Sequence, residues 1–381
     1  MASINASTSG PGGIITSGDT SGNLSLQSGG TTVVALTSAG AAVTGTLSVD
    51  GLNISPYAMK NRIINGGMDI AQRGNTFTST SSANNDDTYV LDRFYILSDG
   101  NDAIDVTQTT TVPTGAKYSI GLDVETINKK FGIAQIIENA NCFDAIGGAV
   151  TVSFQAKVSA TTKLDNIKCA IVAWSGTADT VTSDIISAWG AEGTNPTLIA
   201  NATYENTPAN LNVTTSFATY SVTATVDTAS TSNLILFIWS DVTDTTLGDF
   251  LYITNVQLEV GSTATPFERR LYGQELANCQ RYYQVIKGGS GGASSSTQFE
   301  SFFQFLPMRS APSASLSATA KIEDHAITTY TQSSASVVIS SAAAVAAKFS
   351  LSNFTGLTSS RYYSFAGTET SAGVLQLSAE L

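Results

Sequence analysis

The sequence predicts an all-β protein, and three observations carry that prediction. Strand-length runs rich in Val, Ile, Thr, Tyr and Phe recur between Gly, Asn, Asp and Pro turns along the chain. Charged residues are only 13%, while Ser, Thr, Gly, Ala and Val dominate. Only one stretch, near residues 269–285, steps at helical spacing. At 381 residues the chain exceeds the ~250–300 at which single cores stop growing, so two or three domains are expected.

Residues 1–58 are nearly free of charge and rich in Gly, Ser and Thr. They hold three short alternating pieces, GNLSLQ, TTVVALTSAG and AVTGTLSVDG, each closed by Gly or an Asp-Gly turn. So short a stretch cannot bury a core alone. It is either a slim β stalk covered by copies of itself or a tail that orders on docking. Residues 59–267 carry eight or nine strand runs with turns between them, the pattern of a two-sheet jelly roll or sandwich. IKCAIVAW and LILFIWS are apolar on both faces, as central strands are. The insert at 177–210, with Trp189, Pro196 and Tyr204, is long enough to be functional or disordered.

Residues 268–292 read as a connecting helix (269–285) and a Gly-rich linker, KGGSGG, that ends it. Tyr272, Leu276, Cys279 and Tyr283 step by four, three and four. This stripe either packs on the sandwich or forms a three-chain seam. Residues 293–381 read as a small β tip completed by the last strand, LQLSAEL, with Phe299, Phe302, Phe303 and Phe305 as one apolar cluster.

Two segments, FLYITNVQLEVGSTATPFERRLYGQELANCQRYY at 250–283 and NRIINGGMDIAQRG at 61–74 followed by YVLDRFYI at 89–96, resemble marks found in tail-fibre and appendage proteins of tailed bacteriophages. The resemblance covers residues 61–283 and is compositional outside them. It implies a jelly roll related to carbohydrate-binding modules, an N-terminal attachment region favouring the trimeric stalk, and a variable C-terminal tip. FLPMR at 305–309 looks like an FxxPMR-like element of such proteins.

Composition excludes several functions. A net charge of −12, with 18 dispersed Lys and Arg, argues against phosphate-driven nucleic-acid binding. No window approaches the ~20 apolar residues of a membrane span. No secretory signal is apparent at the N-terminus. Cys142, Cys169 and Cys279 are odd in number and share no C-x-x-C spacing, so they read as small buried residues of a protein made in a reducing cytoplasm.

No enzymatic motif is present and no cofactor is expected. The one histidine, His325, lies beside Glu323 and Asp324 in an exposed strand or turn. Asp86, Asp87 and Asp92, and Asp99, Asp102 and Asp105, read as turn and cap acids. A two-carboxylate glycosidase or, for the second trio, a calcium loop is the alternative. Sugar binding asks for exposed aromatic faces beside polar partners. Trp174 and Trp239 end apolar strands and read as core. Trp189 with Tyr204, and Arg361 with Tyr362 and Tyr363 in the tip, are the candidate ligand-binding residues.

The expectation is therefore a homotrimeric virion fibre, made in the bacterial host cytoplasm, attached to other virion proteins through its N-terminus and adhering to a host-surface glycan. An architectural fibre or adaptor without receptor binding is the alternative, and a polysaccharide depolymerase a further one.

Overall fold

The computed structural model describes residues 59–79, 83–365 and 373–381, with five short strands between residues 24 and 53. The chain divides into two compact units, Met1–Met59 and Lys60–Leu381. In the first, β1 (Leu24–Ser28), β2 (Thr31–Thr37) and β3 (Gly40–Val43) form an antiparallel sheet with Leu24 opposite Leu36 and Leu26 opposite Val34. β4 (Ser48–Val49) pairs with β5 (Leu52–Asn53). The remainder of the expected stalk, including residues 1–23, lies outside the described residues.

The second unit opens with β6 (Thr76–Phe77), β7 (Tyr95–Ser98), β8 (Ile104–Thr109), β9 (Ser119–Val124) and β10 (Phe131–Ile137). A short helix, α1 (Asn139–Cys142), leads to β11 (Ala149–Val158) and β12 (Ile167–Trp174). The small pair β13 (Ile186–Ala188) and β14 (Thr197–Leu198) precedes β15 (Ala202–Tyr204), β16 (Ala218–Thr225), β17 (Asn233–Ser240) and β18 (Phe250–Val260). These strands build a five-stranded sheet, β15-β12-β17-β10-β7, and a six-stranded sheet, β16-β11-β18-β9-β8-β6. The all-β sandwich expected from the alternation is thus present.

Strand β17 explains the layering. Successive side chains point to opposite faces, so Leu234, Leu236 and Ile238 enter the core between the sheets, where they meet Val152, Phe154, Leu251 and Ile253. Ile235, Phe237 and Trp239 point the other way, yet they are also buried, with Phe237 and Trp239 stacked at 4.4 Å. The insert covers that outer face by laying Val181, Ile185 and Trp189 on it.

The two family-like segments are stitched to each other. Asn61 Oδ1 accepts the N–H groups of Ile63 and Leu258 at 2.9 and 3.1 Å, and its Nδ2 donates to Val256 O at 3.1 Å. Glu268 and Glu275 accept the N–H groups of Asn61 and Asn65, and Arg270 donates to the carbonyls of Ile63 and Asn61. Gly66 fits against β18 only because it has no side chain: a Cβ there would lie 2.0 Å from Val256 O.

Helix α2 is shorter than expected, Tyr272–Gln280, because the chain becomes strand β19 (Tyr283–Ile286) as soon as it can pair with residues 375–378. The Gly-rich stretch is no flexible linker either: Gly289–Ala293 is strand β20, inside a seven-stranded sheet. A Cβ on Gly291 would lie 2.0 Å from Glu300 O, so glycine lets the neighbouring strand approach.

Then follow β21 (Phe299–Gln304), β22 (Ser313–Leu316), β23 (Lys321–Glu323), β24 (Thr329–Thr331), β25 (Val337–Ala343), β26 (Ala346–Leu351), β27 (Tyr362–Phe365) and β28 (Leu375–Ser378). The larger sheet has the order β24-β23-β27-β20-β21-β26-β25, and the smaller β19-β28-β22. Their shared core holds Phe299, Phe303, Phe349, Tyr363, Phe365, Leu375 and Leu377.

Candidate functional site

Alternation along β23 and β27 creates a groove on the outward face of the larger C-terminal sheet. Ile322, Tyr363 and Phe365 point into the core, which leaves Glu323, Tyr362 and Ser364 pointing out. Glu323 stands opposite Ser364, and Ser364 opposite Ser290 of β20. The turn after β23 adds Asp324 and His325, and Arg361 precedes β27. Together they line a depression of about 340 Å³.

Asp324 holds this corner. Its carboxylate accepts the N–H groups of Thr328 and Ala326, both at 2.9 Å, and the Tyr330 hydroxyl at 3.3 Å, and it pairs with Arg361 at 3.1 Å. Those backbone donors, and then the guanidinium, hold the carboxyl below its ordinary range. Arg361 is thereby fixed beside Tyr362, a residue 78% exposed. The Tyr363 ring is buried edge-on against Tyr330 at 5.4 Å, and its hydroxyl accepts the Thr358 N–H at 2.8 Å. An exposed aromatic face beside a guanidinium, a carboxylate, an imidazole and serine hydroxyls can stack on one side of a polyol and hydrogen-bond its hydroxyls.

The other expected ligand-contacting aromatics lie elsewhere. Trp189 is only 9% exposed and packs on Phe237 at 5.9 Å, so it offers no open face. Tyr204 is half-buried in β15 and donates its hydroxyl to Pro196 O at 2.8 Å. Trp174 and Trp239 are buried, as read. The insert is fastened down: buried Asp241 pairs with Lys130 and with Lys168, the latter at 2.7 Å. Lys130 donates to Ala191 O at 2.7 Å, Lys168 to Asn195 Oδ1 at 2.9 Å, and Asp241 accepts the Gly193 N–H at 3.0 Å.

The expected seam divides. Tyr272 is exposed and Leu276 half-buried, whereas Cys279 and Tyr283 are inside the chain's own fold, Tyr283 with Arg73 3.6 Å above its ring. The four therefore do not form one exposed stripe. All three cysteines are free and buried, and burial raises the Cys142 thiol to about 11.

Most of the clustered acids have structural partners. Asp92 accepts from Gln72 N and Nε2 at 2.7 and 2.5 Å, Asp86 from Ser98 N at 2.7 Å, and Asp102 and Asp105 from Asn84 Nδ2 at 2.8 and 3.0 Å. Asp99 pairs with Lys129 at 3.6 Å. Asp87 differs: burial, then the neighbouring carboxylates Asp86 and Asp184, raise its carboxyl to about 7. Among the described residues no group of three or more His, Cys, Asp or Glu could hold a metal ion, and no helix is long and apolar enough to cross a membrane.

Sequence reasoning saw both halves of the groove without joining them. Residues 323–325 and 361–363 meet only through the β23–β27 pairing, which local pattern does not encode. It also placed Phe302 in one apolar cluster with Phe299 and Phe303. Phe302 is 64% exposed, because it sits one residue out of phase with them. Strict alternation was the signal that separates it.

The fold and groove define a β-sandwich protein with an exposed aromatic groove on its C-terminal sheets. The sequence matches no protein-family profile and no curated protein. Among solved structures it is similar to the enzymatically active domain of tailspike protein 4 of bacteriophage CBA120, at 18% identity over 55% of this chain and 22% of that one, with a TM-score of 0.31. It is similar to a family 16 carbohydrate-binding module, at 16% identity over 40% and 84%, with a TM-score of 0.26. The CBM22-1 xylan-binding domain from Paenibacillus barcinonensis Xyn10C matches at 12% over 50% and 94%, with a TM-score of 0.27. These likenesses are loose, and the chain spans about a fifth of the length of the tailspike domain.

Proposed function

We propose that this chain is a virion fibre protein of a tailed bacteriophage, a tail fibre, that adheres to a glycan on the bacterial host surface through its C-terminal sheet. The observation that carries the adhesion reading is the groove in which exposed Tyr362 stands beside Arg361, Glu323 and His325. The fibre reading rests on the resemblance of residues 61–283. In this proposal the N-terminal unit attaches to other virion proteins and three chains assemble as a homotrimer. Three weak sites on one fibre then raise avidity without any single tight contact.

The reading is non-catalytic: the clustered acids serve mainly as hydrogen-bond acceptors within the sandwich. One observation favours a depolymerase instead, the Asp87 carboxyl held near the pH at which a general acid works. That alternative predicts reducing sugar released from host polysaccharide and lost in Asp87→Asn.

The test is an array of bacterial surface polysaccharides probed with the full chain and its Tyr362→Ala variant. Saturable binding that the variant loses is expected. No binding of the full chain to any host polysaccharide, with whole particles still adsorbing, would make it a purely architectural fibre.

A further inference from the structure

A second depression, of about 360 Å³, lies on the same sheet face, lined by Gly292, Glu300, Phe302 and Lys348 among others. Directly paired residues of an antiparallel sheet share a face, as do residues two apart on a strand. Tyr362 stands opposite Gly292, Gly292 opposite Glu300, and Phe302 lies two residues beyond Glu300. Tyr362 and Phe302, 78% and 64% exposed, therefore rise from one face on either side of β20. Two strand spacings across and two residues along put their backbones about 12 Å apart.

Between them the floor is nearly flat, since β20 offers this face only Ser290 and Gly292. The reason for Gly292 is informative. Gly291 is demanded by its neighbour's backbone, and at Gly289, with φ +156°, a Cβ would lie 1.8 Å from the Phe303 ring. At Gly292 a Cβ would meet only Arg361 O, at an ordinary 3.8 Å. Strand interiors favour larger residues, so packing does not ask for glycine there, whereas an open trough does.

Charge selects the occupant. Lys348 pairs with Glu300 at 2.9 Å and Arg361 with Asp324 at 3.1 Å. Both of these cations are matched, so an anionic chain gains no unmatched positive charge from either of them.

We infer that this face is one continuous two-subsite cleft for an uncharged oligosaccharide, which stacks on Tyr362 at one end and Phe302 at the other and crosses the trough over Gly292. A single pyranose ring cannot bridge the two aromatics; a short linked chain can. The inference rests on the reading of the Tyr362 groove as a sugar site and adds the second subsite, the length and the charge of the ligand.

The experiment is titration of the full chain with gluco-, galacto- and manno-oligosaccharide ladders of one to six units, and with an oligogalacturonide ladder as the anionic counterpart. Affinity for at least one neutral ladder is expected to rise about tenfold once the chain reaches Phe302, the worth of one further aromatic contact. Phe302→Ala and Gly292→Leu should remove that gain, retain the weaker binding of the short sugar, and leave the thermal midpoint unchanged. Tyr362→Ala should remove both. Affinity independent of length, or a length gain that survives both Phe302→Ala and Gly292→Leu, overturns the second subsite while the Tyr362 site stands. Tighter binding of the anionic ladder overturns the charge assignment. Failure of every ladder to bind overturns the inference, and if Tyr362→Ala also leaves polysaccharide binding unchanged, the Tyr362 reading falls with it.

Discussion

Gly66 and Asp87 are single residues whose chemistry is fixed by what surrounds them. A methyl group on Gly66 would meet the Val256 carbonyl at 2.0 Å, and Gly66 O itself accepts the Val256 N–H at 2.8 Å, so the two backbones cannot separate without losing that bond. Gly66→Ala should destabilise the second unit by about 3 kcal/mol in urea denaturation, and an unchanged midpoint would show that the segment can shift. Asp87 works in the opposite sense. Its carboxyl titrates near 7 in the fold and near 4 when unfolded, so the folded state binds the proton more tightly. Its contribution to stability is full below about pH 4 and is lost as pH rises through about 7. Asn keeps the side chain neutral and tolerates the φ of 61° found there. Asp87→Asn should therefore gain stability over the wild type between pH 4 and 7 and hold a constant advantage above, of about 1 kcal/mol after solvent screening of a half-buried group. Melting curves at pH 4, 6 and 8 check this, and a difference that does not grow with pH contradicts it.

Among the elements, the insert is the one whose role sequence could least foretell. Its length and its tryptophan suggested a binding loop, but it is the lid on an apolar sheet face. What decides this is non-local: Lys130 just before β10, Lys168 on β12 and Asp241 after β17 meet in space and grip the backbone at residues 191–194. Removing Asp241 leaves two buried ammonium groups without their carboxylate, and Asp241→Ala should cost about 3–5 kcal/mol and speed amide exchange at residues 185–199. A loss under ~1 kcal/mol, or unchanged exchange, would mean that apolar packing alone holds the lid. The strands themselves were legible, because LILFIWS is an apolar run of strand length, as in a strand buried on both faces, and FLYITNVQLEV alternates apolar with polar residues over much of its length. The β20 strand was not, since GSGGA has no side-chain pattern and becomes a strand only because Phe299–Gln304 and Tyr362–Phe365 flank it. The exposed Tyr362 was legible as an aromatic-basic patch. Its partners Glu323 and His325, some forty residues earlier, were not, because cross-strand pairing over that distance leaves no trace in local spacing.

At the scale of the whole second unit, sandwich and C-terminal sheets are bound together by the chain's last residues. Glu380 pairs with Arg93 and, at 3.1 Å, with Arg73, both from the sandwich. Arg309, the arginine of FLPMR, donates to Ala379 O and Glu380 O at 2.5 and 3.0 Å, and Leu381 is buried against the outer face of the five-stranded sheet. The sheets that carry the groove are thus fastened to the sandwich through these residues. The C-terminal sheet keeps an open aromatic groove, whereas the outer face of the five-stranded sheet is covered by its own insert. The most direct measurement of this account is adsorption of the labelled full chain to intact host bacteria, for the wild type and for Tyr362→Ala, with equal thermal midpoints verified first. The account predicts saturable adsorption by the wild type, competed by soluble host polysaccharide, and its loss in the variant. Equal, competable adsorption by both chains would place recognition away from the Tyr362 groove and contradict it.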